Sequence, residues 1–103
     1  MRRFGILLGF LIVAVSVLRA AAQTSTGNAA HGKQLFAQNC AVCHGPQGQG
    51  AEAPRLKGEA SRKNLAQLEA WIKKPAPPMP SLYPKPLSAT DVADVAAYVE
   101  SLK

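Results

Sequence analysis

Residues 40–44, Cys40-Ala41-Val42-Cys43-His44, decide how this chain is read. Two thiols separated by two residues and followed at once by an imidazole form an attachment motif for haem, and cysteine occurs nowhere else in the sequence. On one helical turn Cys40 and Cys43 project from the same face, so each sulfur can form a thioether to one of the two vinyl groups on a porphyrin edge. His44 then falls beneath the macrocycle, where its imidazole can bind the iron as the proximal ligand.

Other uses of these residues fit the context less well. A redox dithiol shares the cysteine spacing but expects a strand-helix-strand setting, whereas the flanks here read as helix and glycine-rich loop. Zinc needs four ligands, and His31 is the only histidine outside the motif. A disulfide between Cys40 and Cys43 would close too small a loop to stabilise much.

The segment before the motif adds a compartment. Met1-Arg2-Arg3 is a basic start, Phe4 to Leu18 is apolar apart from Gly5, Gly9 and Ser16, and Ala20-Ala21-Ala22 supplies small residues for cleavage before Gln23. Residues 1–22 therefore read as a secretory signal. The alternative, a retained membrane anchor, is disfavoured because the apolar run falls short of the ~20 residues a spanning helix prefers. Export suits the chemistry, since covalent attachment consumes thiols that would otherwise oxidise and keeps the cofactor from being lost.

Removal of residues 1–22 from the 103 leaves residues 23–103, one small domain with a marginal core that a bound haem plate would help to complete. The formal charge of +6 is inflated by Arg2, Arg3 and Arg19, without which nine basic residues face six acidic ones. No cluster of cations interleaved with aromatics points to nucleic acid. Lys33, Lys57, Lys63, Lys73, Lys74 and Lys85 instead suit a solvated or docking surface, where weak long-range attraction speeds encounter with an acidic partner.

Three helices follow from pattern, with no alternating strand signal and no repeat. The first runs from a cap at about Asn28 through Leu35 and Phe36 into the cysteine motif, with Gly32 leaving room for a neighbouring helix, and ends at Gly45. A second opens with Asn64 and Gln67 spaced as a capping box, carries Leu65, Leu68, Trp71 and Ile72 on one side, and closes at Lys73-Lys74 before Pro75. The third starts at Ser88, with Asp91 three residues on, and places Val92, Val95, Ala96, Val99 and Leu102 in one stripe.

Between the last two helices, six of the twelve residues from Pro75 to Pro86 are proline, which excludes helix and stiffens the backbone. Such a stretch could be a spacer or a proline-rich ligand. Met79 argues otherwise. It is the only methionine besides the initiator, and it sits where a thioether can be held rigidly, so with a haem motif upstream it is the candidate for the sixth iron ligand; its other reading is core filler. A soft, neutral sulfur favours ferrous iron and raises the potential relative to two nitrogen ligands.

Together these residues resemble a small monohaem class I c-type cytochrome, with Gly32 and Phe36, Cys40 to His44, Pro54, Leu65 to Lys74, Met79-Pro80 and Tyr98 in matching order over residues 27–103. The resemblance implies an all-α cytochrome c fold, three main helices and loops wrapped around one covalent haem. It implies that the terminal helices cross near Gly32 with Phe36 and Tyr98 in contact. It also implies that the Pro54 carbonyl accepts the ring proton of His44, the plain alternative being a loop proline. Trp71 stands where many relatives carry a tyrosine facing the haem; indole can pack on the macrocycle but only donates hydrogen bonds, and core packing is its other reading. His31, nine residues before Cys40, is expected to face solvent.

The function so implied is one-electron transfer by a periplasmic monomer, soluble after cleavage and membrane-associated only if residues 1–22 are kept. The iron is held by His44 and Met79, the haem pocket includes Cys40, Cys43, Pro54 and Trp71, and the protein is not an enzyme. Electrons would come from a dehydrogenase or quinol-oxidising complex and pass to an oxidase or other acceptor. One alternative is a haem subunit bound tightly within a periplasmic dehydrogenase. Another is a catalytic or sensory site, open if Met79 does not bind iron, but no pocket acid or distal histidine is evident for it.

Overall fold

The computed structural model describes residues 27–103, so the proposed signal at 1–22 lies outside the described residues. Four α-helices run in order, α1 (Ala29–Asn39), α2 (Ala41–His44), α3 (Leu65–Lys73) and α4 (Ala89–Ser101), with a single 3-10 turn at Glu59–Ser61 and no strand among the described residues. No helix of the described residues is long and apolar enough to cross a membrane.

Local chemistry sets the helix starts. Asn28 accepts the His31 backbone N–H through its side chain at 3.1 Å, capping α1. Both expected capping boxes form. Asn64 and Gln67 exchange hydrogen bonds of 2.9 Å each ahead of α3, and Ser88 and Asp91 exchange bonds of 3.1 and 3.0 Å ahead of α4.

The first helix departs from the expected single element. It breaks at Cys40, where φ is −118° and the chain turns into α2. The side-chain amide of Asn39 reaches back to the Leu35 carbonyl at 2.9 Å, satisfying an acceptor at the end of α1. Gly45 then terminates α2 at φ +85°, a value that glycine adopts without the Cβ clash other residues meet.

The core lies between α1 and α4, with α3 packed on α4. Phe36, Leu87, Val92 and Val95 are almost wholly enclosed, joined by Leu68, Ile72, Ala96, Tyr98 and Val99. Burying each large side chain contributes about 1.5–3 kcal/mol. The crossing is as tight as backbones allow, because a Cβ on Gly32 would sit 1.9 Å from the Asp94 carbonyl oxygen. Only hydrogen at that position lets the helices meet. Phe36 and Tyr98 meet edge to face beside it, with centroids 5.2 Å apart and planes at 63°.

Candidate haem site

The attachment motif is one turn of helix held at both ends. The Cys40 N–H still bonds the Phe36 carbonyl at 2.8 Å, tying the turn to α1. The Cys40 carbonyl then accepts from Cys43 and His44 at 3.2 and 3.0 Å, and Gly45 closes on Ala41 at 2.8 Å. Cys40 and Cys43 are half-buried free thiols, while Val42 between them is 80 % exposed. Burial, with Cys43 beside it, pushes the Cys40 thiol up to about 11. A raised pKa is the opposite of the lowered one that activates a redox cysteine.

The glycine-rich loop after the motif folds back onto it. Gly50 donates to the His44 carbonyl and Ala53 to the Cys43 carbonyl, both at 2.8 Å, and Leu56 donates to Gly48 at 2.7 Å. These bonds bring the Pro54 carbonyl oxygen to 2.8 Å from Nδ1 of half-buried His44. A carbonyl can only accept, so the network assigns the ring proton to Nδ1 and leaves the lone pair on Nε2. An imidazole fixed in this tautomer is ready to bind a metal. The donor set therefore fits a haem iron on the Nε2 side of His44, with two thiols adjacent for covalent attachment.

Met79 lies half-buried in the proline segment, its N–H closing a turn on the Ala76 carbonyl at 3.1 Å. The segment is not a free spacer. Leu82 and Tyr83 pack against the core, Leu87 is buried, and the Leu87 N–H bonds the Leu82 carbonyl at 2.9 Å.

Two side chains differ from what the sequence implies, and a third carries an ion pair it did not reveal. Trp71 does not share the buried side of α3: Leu68 and Ile72 are buried and Leu65 is partly so, but Trp71 is 46 % exposed. At about 100° per residue, Leu65, Leu68 and Ile72 fall within about 60° of arc and Trp71 lies a further 60° beyond, on the flank. Core packing is thereby excluded for it. Lys63 hovers 5.9 Å above its ring. His31 is not simply solvent-facing, because its Nδ1 pairs with Oδ2 of buried Asp94 at 2.6 Å. Glu59, absent from the sequence reading, is buried and held by Arg62 at 2.5 Å and Lys63 at 2.6 Å. Its i, i+3 and i, i+4 spacing was the available signal.

A family model described as cytochrome c matches residues 29–103. This chain belongs to the cytochrome c family. It is 35% identical over 77 residues to a cytochrome c-553-like protein of Synechocystis, covering 74% of this chain and 70% of that one. It is also 35% identical to cytochrome c6 of Cyanidium caldarium over 102 residues, covering 88% and 91%. The solved structure of cytochrome c6 from the diatom Phaeodactylum tricornutum superposes with a TM-score of 0.63 at 29% identity, covering 73% of this chain and 93% of that one. The protein is thus an electron-transfer cytochrome of all-α fold acting with redox partners, and its cofactor is haem c attached through Cys40 and Cys43.

Proposed function

We propose that this cytochrome is an exported, freely diffusing one-electron carrier of the periplasm, with His44 and Met79 as axial ligands and no enzymatic activity of its own. Residues 1–22 are its cleaved signal and residues 23–103 its working domain. The observation that carries the reading is the 2.8 Å approach of His44 Nδ1 to the Pro54 carbonyl, which leaves Nε2 as the donor atom. When bound, haem supplies reversible one-electron exchange between ferric and ferrous iron.

The chain does the rest. His44 Nε2 supplies a nitrogen ligand whose orientation the Pro54 carbonyl maintains. Met79 presents a soft thioether from a stiff segment, favouring the reduced state and closing the position at which peroxide or a gas would bind. Trp71, exposed on the flank of α3, would offer its indole face to the macrocycle. The packed α1/α4 core holds these groups still, so that little rearrangement accompanies electron transfer. The donor is a dehydrogenase or quinol-oxidising complex and the acceptor an oxidase or another redox protein.

Replacing Met79 by Ala tests the ligand set. The variant is expected to bind carbon monoxide readily in the ferrous state, which wild-type protein does not, and to lose at least about 60 mV of potential, a tenfold change in redox balance. Ready carbon monoxide binding by wild-type protein would remove Met79 from the iron. Purification on a large dehydrogenase subunit, resistant to salt, would replace the diffusing carrier with a fixed subunit.

A further inference from the structure

We propose that His31, Asp91 and Asp94 form a binding site for one divalent transition-metal ion of the zinc type, separate from the haem motif. One ligand atom from each residue lies within 4.8 Å of the other two. Asp91 and Asp94 are three residues apart on α4, hence on one face, and His31 comes from the first turn of α1, nine residues and about 13 Å of helix rise before Cys40.

The helix crossing itself positions the donors. Asp94 is buried, its Oδ1 accepting the Asn28 N–H at 2.7 Å and its Oδ2 facing His31 Nδ1 at 2.6 Å. The contact of Gly32 with the backbone of Asp94 fixes the distance between the two helices. Asp91 spends Oδ2 on the Ser88 N–H, and a carboxylate has a second oxygen for an ion. Lys73 and Glu69 line the groove beside Asp94, but the Lys73 ammonium lies 5.4 Å over the Tyr83 ring rather than on the carboxylates.

The chemistry of the set selects the ion. One imidazole nitrogen with two carboxylate oxygens suits zinc and its neighbours, whereas calcium and magnesium prefer oxygen alone. Bonds of about 2.1 Å in a tetrahedral set place ligand atoms about 3.4 Å apart, so His31 Nδ1 and Asp94 Oδ2, 2.6 Å apart in the structure, must separate by somewhat under 1 Å to admit the ion. The 43 % exposed His31 side chain and half-buried Asp91 are free to make that movement while Asp94 stays anchored. The ion takes the Nδ1 lone pair, so the proton that Nδ1 shares with Asp94 moves to Nε2 or is released to solvent. An ion held by both helices stabilises the folded state by binding it alone.

Zinc titration of the haem-loaded protein tests the site. The chain has two histidines and two cysteines; with haem in place the sulfurs are thioethers and His44 is committed to iron, so His31 is the remaining imidazole. Calorimetry should show one equivalent bound and melting should show a raised transition temperature. His31→Gln and Asp91→Asn should each weaken binding by at least about tenfold and abolish the thermal shift, with the haem spectrum unchanged. No binding at millimolar zinc would overturn the proposal, as would binding that His31→Gln leaves intact. Equal competition by magnesium would overturn the choice of ion class.

Discussion

The ring Nδ1 of His44 and the carbonyl oxygen of Pro54 lie 2.8 Å apart, and the loop between them is pinned at Gly50 and Ala53 to carbonyls of the motif itself. The acceptor belongs to the backbone, so a side-chain change at position 54 alters its stiffness without removing it. Pro54→Gly should keep the Nδ1–H resonance of His44 in the ferrous protein but quicken its exchange with solvent. Denaturant unfolding should show a loss of about 1 kcal/mol, chiefly from the greater freedom of the unfolded chain. Unaltered exchange in that variant would show that loop rigidity does not orient the imidazole.

Gly32 and Gly58 separate crowding from backbone strain. A methyl group on Gly32 would meet the Asp94 backbone at 1.9 Å, whereas one on Gly58 meets nothing within 4 Å but must sit at φ +83°. Gly32→Ala therefore forces α1 off α4 and should cost about 3 kcal/mol or more. Gly58→Ala should cost only about 1–2 kcal/mol, the strain of a left-handed residue. Equal losses in thermal or denaturant unfolding would contradict this reading of the crossing.

What could be read from the sequence was what neighbouring residues determine. The capping boxes at Asn64/Gln67 and Ser88/Asp91 act over three positions, so the starts of α3 and α4 were visible without tertiary information. The haem motif and the α4 stripe were likewise local. The break at Cys40 was not, because it depends on how α1 meets the rest of the chain. Leu87, between a proline run and a cap, carries no periodic signal yet is 1 % exposed. The pairing of His31 with Asp94 spans 63 residues and follows from the helix crossing rather than from spacing. Pro54 was reached through family resemblance alone.

Glu59 should give the protein an acid-sensitive contact. Hydrogen bonds from Lys63 and Arg62 hold its carboxyl below the ordinary value of 4.5. A carboxylate whose folded pKa is depressed contributes stability above its unfolded pKa, and that contribution disappears as pH falls through the folded value. Arg62 and Lys63 are largely solvated, so screening limits the effect to about 1 kcal/mol. Glu59→Gln should thus be less stable than wild type at pH 7, and the difference in melting temperature should shrink as pH falls below the ordinary carboxyl value of 4.5. A gap of constant size across that range would mean that the carboxylate charge plays no part.

The Phe36–Tyr98 contact allows packing to be weighed against hydrogen bonding. Tyr98 is 9 % exposed, at the edge of the core, where solvent can serve its hydroxyl. Tyr98→Phe should then shift stability by no more than about 0.5 kcal/mol. Truncating either ring to Ala should cost about 3–5 kcal/mol, because the cavity lies where α1 and α4 cross and the glycine-tight backbones cannot close over it. The losses should not add. With the rings edge to face at 5.2 Å, a double-mutant cycle should return a coupling of about 0.5–1.5 kcal/mol. A coupling of zero, or a Tyr98→Phe loss as large as that of Tyr98→Ala, would show that the hydroxyl rather than the ring contact secures the helix pair.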